Sequence, residues 1–127
     1  MQIQVITKNK IKQKEYLAAI QEYKKRLTPF TKIKLITPEE YIPDKRELVI
    51  EIRSFGETVS SEHFADSLKQ HMLNGISAIT FSLMPMPEAK ETICISHMHM
   101  PEPLAVCVLH EQIYRSFMII HHRTYHK

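Results

Sequence analysis

Apolar and polar residues alternate along Gln2–Thr7, with Ile3 and Val5 as β-formers, and this period of two predicts a short first strand. The period then changes. Between Lys14 and Leu27 the apolar positions Tyr16, Ile20, Tyr23 and Leu27 form one helical stripe, and Pro29 ends the helix. Alternation resumes over Lys32–Thr37, a second strand, and Pro38 and Pro43 bracket the loop that follows. Glu47–Ile52 predicts a third strand with Leu48, Ile50 and Ile52 on one face, before a turn at Gly56. Ser60 or Ser61 can cap the next helix, whose stripe is Phe64, Leu68 and Met72, and Asn74-Gly75 stops it. Ala78–Leu83 and Thr92–Ser96 read as strands four and five. Pro101 and Pro103 introduce a last helix, and its unbroken apolar run Leu104–Leu109 predicts a start buried on all sides.

The order βαβ–βαβ–βα predicts an α/β fold: a five-stranded, mostly parallel sheet with three helices in one domain, residues 1–127. Two connections strain that reading. Parallel neighbours need a crossover of about a dozen residues, whereas Pro38–Arg46 offers nine and Met84–Glu91 eight. Either those strand pairs are not adjacent, or part of the sheet is antiparallel.

Composition narrows the class. The chain has 127 residues, 43% hydrophobic and 24% charged, enough for one modest core and unlike a disordered protein. It has no apolar run of membrane-spanning length and no signal-peptide pattern, so no membrane partner and a cytoplasmic location are expected. Cys94 and Cys107 lie in apolar stretches and read as free thiols. Charge is uneven: residues 1–53 carry 12 Lys/Arg against 7 Asp/Glu, while all eight histidines come later. Lys8, Lys10, Lys12 and Lys14 with Lys24-Lys25-Arg26 make a basic face that suits a phosphate-rich partner, or simply a solvated helix surface.

Candidate chemistry is sparse. Glu111, Tyr114 and Arg115 share a helical face and read either as a polar site or as a helix-supporting i,i+4 pair. His97 and His99 could join other histidines on a metal, but no Cys, Asp or Glu has ligand spacing, so no metal site is assigned. Met84, Met86, Met98, Met100 and Met118 read as core filling or as an adaptable surface. No phosphate-binding glycine loop or nucleophile–base motif is present.

Several blocks, in order, resemble one family. Glu22-Tyr23-Lys24-Lys25-Arg26-Leu27, Gly56 with Ser60-Ser61-Glu62 and Phe64-Ala65, Glu111-Gln112-Ile113-Tyr114-Arg115 and the tail Tyr125-His126-Lys127 are similar to RlmH proteins. Those are SPOUT-class methyltransferases that methylate a pseudouridine of large-subunit ribosomal RNA with S-adenosylmethionine. The resemblance implies a minimal SPOUT-like domain, derived from the α/β knot, and a homodimer through the C-terminal helix. It places cofactor contacts at Ile50, Met84, Ile95, Ser96, His97, Met98, His99 and Met100, and gives His126 and Arg115 the task of orienting RNA.

The chain also departs from that family. Members are roughly thirty residues longer, with a helix in each of the two short connections. The family's Gly-Gly-x-x-Gly turn, where backbone approaches the cofactor, is replaced by Met84-Pro85-Met86-Pro87-Glu88. Methionine adds bulk there and proline removes an N–H. Glu102 and Val106 stand where the family has His and Arg. The shortened loop predicts that the family's trefoil knot is lost or rearranged, and missing helices predict exposed apolar sheet that dimerisation would cover. Two readings follow: a minimal RlmH-like methyltransferase, or a non-catalytic, dimeric relative that keeps RNA affinity without the cofactor.

Overall fold

A computed structural model describes residues 1–124. Its elements run β1 (Gln2–Ile6), α1 (Lys14–Leu27), β2 (Lys32–Ile36), a 3₁₀ turn (Pro38–Glu40), β3 (Glu47–Thr58), α2 (Ser61–Leu73), β4 (Ala78–Ser82), β5 (Glu91–Cys94) and α3 (Glu102–Ile120). The five strands form one sheet in the order β2-β1-β4-β3-β5, and every neighbouring pair is parallel. The α/β expectation holds, and the strained connections resolve in favour of non-adjacent strands. β1 separates β2 from β4, and β3 separates β4 from β5.

This order also decides where the helices go. The β1–α1–β2 and β3–α2–β4 units step across the sheet in the same direction, so right-handed crossovers place both helices on one face. There Ile3, Val5, Ile33, Leu48, Ile50, Ile79 and Phe81 pack with Ile20 and Leu27 of α1, Phe64 and Leu68 of α2, and Val106, Leu109, Ile113 and Phe117 of α3. The two short connections step the other way and therefore run over the opposite face.

That second face is mixed, with Ile6, Ile36 and Val49 buried among polar side chains. Register puts Gln4, Glu47, Thr80 and Glu51 together on it. The Thr80 and Tyr41 hydroxyls both donate to the Glu47 carboxylate, and the Met86 amide donates to Glu51 at 3.2 Å. The exposed apolar sheet predicted from the missing helices is thus absent. Two extended straps and a hydrogen-bonded polar surface stand in its place, with Thr80 and Ser82 fully buried beneath.

Stagger explains how eight residues reach β5. β5 enters beside Ile50, at the level where β4 ends, so the chain steps over β3 without returning to the bottom of the sheet. Lys90 then donates to the Val49 carbonyl at 3.0 Å.

Two further expectations are corrected. β3 continues past Ile52 because residues 54–57 bulge out between Arg53 and Thr58, both opposite Cys94, with Gly56 at φ +94° in that excursion. The start of α3 is not buried all round: Val106 and Leu109 are, but Leu104 is 37% exposed. Of the five methionines, only Met118 is a core residue, and Met98 is 76% exposed.

Candidate functional site at the carboxyl ends of the strands

Ligands of open parallel sheets bind outside the carboxyl ends of the strands, where successive connections leave to opposite faces. Here β4 leaves over the second face, while its neighbours β1 and β3 lead into helices on the other. Two adjoining clefts open at that edge. The first, about 360 Å³, lies between β5, the start of α2 and α3, lined by Ile52, Ser61, Phe64, Val108 and Gln112 among others. The second, about 330 Å³, lies between β3 and the start of α3, lined by Arg53, Ser54, Leu83, Glu102 and Ala105. Ile52, Ile95, Ser96 and Met100 border both.

β5 ends at Cys94, two residues before the predicted limit, which releases Ile95–Met100 as the loop between the clefts. Ser96 holds that loop, its hydroxyl accepting from the Met98 amide at 3.1 Å. Met98 and His99 line the second cleft. The His97 ring instead bonds the Gly56 carbonyl at 2.5 Å and pins the β3 excursion. Ile50 has no exposed surface and belongs to the core beneath. Met84 lies after β4 and lines neither cleft.

Arg115 lines neither cleft but joins Ser61 and Gln112 of the first in a polar ring. Its guanidinium donates to Ser61 and Glu111, each at 3.1 Å; Ser61 donates to Gln112 at 2.8 Å, and Gln112 to Glu111 at 3.0 Å. This joins the start of α2 to the middle of α3. His126 lies outside the described residues.

Glu102 has a task that residue type alone did not reveal. From the first turn of α3 its carboxylate accepts the Lys8 and Asn9 amides at 2.7 and 3.0 Å, clamping the basic loop after β1 to the rim of the second cleft. Lys8, Lys10, Lys12 and Lys14 are all exposed there, with Ile11 as the buried anchor. Arg53 lies just beyond the strand expected to end at Ile52, and Glu51, inside that strand, carries no sequence signal of its partner. Arg53 bonds Glu51 at 2.5 Å and, together with the Met86 amide, holds that carboxyl below its ordinary range, against the opposing effect of burial.

A family model described as "Predicted SPOUT methyltransferase" matches residues 1–126. The chain belongs to this SPOUT family. Its relatives include proteins named Ribosomal RNA large subunit methyltransferase H from Ruminiclostridium cellulolyticum (34% identical), Syntrophomonas wolfei (31%) and Streptococcus suis (32%), with each chain matched over its full length. The first alignment runs over 161 positions, against 127 residues here, so this SPOUT chain is the shorter partner.

The SPOUT cofactor is S-adenosylmethionine, and the donor groups of the β4–β5 strap test whether it fits. The Met84 amide is bonded by the Ser82 hydroxyl at 3.2 Å, and that hydroxyl donates to the Met84 carbonyl at 2.7 Å. Pro85 and Pro87 have no N–H. The Met86 amide goes to Glu51, that of Ala89 to the Met86 carbonyl and that of Lys90 to Val49. The strap turns these four amides back onto the protein, where the family's glycine turn would offer backbone to a ligand. This half of the cradle does not fit the cofactor.

Proposed function

We propose that this chain is a shortened RlmH-like protein that engages large-subunit ribosomal RNA in the cytoplasm as a homodimer, without methyl transfer by the family's route. The observation that carries the reading is the β4–β5 strap, whose Met84 and Met86 amides are committed to Ser82 and Glu51. RNA engagement is supported by the names of the relatives and by the exposed lysines of the loop held by Glu102. Dimerisation through α3 is supported by two apolar residues near its ends, Leu104 and Ile119, each 37% exposed. Among the described residues, no helix is long and apolar enough to cross a membrane.

One observation favours the second reading, an S-adenosylmethionine-dependent pseudouridine methyltransferase. Five residues of the cofactor-embracing segment, Ile95, Ser96, Met98, His99 and Met100, line the second cleft. Calorimetric titration with S-adenosylmethionine and S-adenosylhomocysteine separates the two. No heat up to millimolar ligand is expected. Saturable one-site binding in the micromolar range would establish a rebuilt pocket, and methyl transfer to ribosomes would then be measured.

A further inference from the structure

We infer that Phe55 is a stacking platform for an unpaired RNA base at the mouth of the second cleft; this rests on the RNA reading above. The ring is 64% exposed on the excursion of β3. A lone exposed apolar residue is ordinary, but this one is held in place from two sides. Its neighbour Gly56 is pinned by the His97 ring. The Arg53 guanidinium stands 5.1 Å from the ring centroid and is itself fixed by Glu51 at 2.5 Å. Glu51 thus fixes Arg53 by an ion pair, and Arg53 in turn packs over the Phe55 ring, the exposed member of the chain of contacts.

The surroundings suit a nucleotide. Arg53 and Ser54 line the cleft on the side of Phe55, and Met98, the residue after His97, adds a polarisable apolar wall. Glu102, which lines the same cleft, holds the Lys8–Asn9 backbone, so the exposed Lys8 and Lys10 are available to the phosphates that flank a stacked base. Single-stranded RNA is recognised in this way, by aromatic faces for bases and cations for the backbone. Glu102 cannot serve a phosphate, but its two oxygens are already occupied by amides.

The test uses the full chain and a short single-stranded, uridine-rich RNA containing 2-aminopurine, read by anisotropy and by quenching of that base on stacking. Phe55→Ala should weaken binding about 5- to 100-fold and abolish the quenching, with the salt dependence unchanged. Phe55→Trp should retain both; Phe55→Leu, apolar but without a π face, should not. Lys8→Ala and Lys10→Ala should each reduce the log–log salt slope by about 0.7 and leave the quenching at saturation intact. Wild-type RNA affinity and quenching in Phe55→Leu would overturn the assignment while leaving the RNA reading in place. No binding by the unmodified protein at low salt would overturn both.

Discussion

His110 is 1% exposed in the middle of α3, and its Nδ1 bonds the Val106 carbonyl at 2.8 Å. Burial pushes its pKa below the ordinary 6.5, only partly opposed by that bond. The imidazole is therefore neutral in the fold, and the unfolded chain takes up its proton first. Stability should be unaffected by this group above about pH 6.5 and should fall as pH drops below it, with a slope of at most about 1.4 kcal/mol per pH unit. Glu51, held low by Arg53, contributes in the same direction, but only below the ordinary carboxylate value of 4.5. Urea midpoints measured between about pH 5 and 7 should therefore slope for the native chain, and His110→Gln should flatten that slope.

Among the elements, α1 was legible to the residue, because Tyr16, Ile20, Tyr23 and Leu27 give a clean stripe and Pro29 bars continuation. The cap of α2 was legible to within one residue: of Ser60 and Ser61 it is Ser60 whose hydroxyl accepts from the His63 amide, at 3.0 Å. β3 was not, since a bulge of four residues looks like a strand end in sequence. Alternation carried a second message that only topology makes readable. Parallel strands covered on both faces read as continuous apolar runs, whereas Gln2-Ile3-Gln4-Val5 and Lys32-Ile33-Lys34-Leu35 alternate, as strands with one wet face must. The clefts were half legible: Ile95–Met100 came from resemblance, while Arg53 and Glu102 depended on a bulge and on a contact 93 or 94 residues away. That contact is testable. Glu102→Ala removes two charge-assisted bonds at an exposed site and should cost about 1–2 kcal/mol in urea denaturation. Amide exchange at Lys8 and Asn9 should quicken while that of Ile3 and Val5 stays slow.

At the scale of the molecule, three helices and one sheet face enclose the core, and Leu104 and Ile119 of α3 remain to be covered. Ile119→Lys should leave the fold intact and convert the proposed dimer to monomer, read by sedimentation at micromolar protein; an unchanged dimer would remove α3 from the interface. The straps have a further consequence. Because both short crossings run over the same face, the helical layer is confined to the other. With a strap in each crossing the molecule is a half-shell, its back closed by straps and paired polar groups over Ile6, Ile36 and Val49. A helix standing on one of these crossings alone would form a ledge beside the other strap, roughly a helix diameter (~10 Å) high. Such a helix would lay an apolar face over Gln4, Glu47 and Thr80 and strip water from polar groups that the strap leaves paired, so a single inserted helix would add a wall that nothing opposite supports.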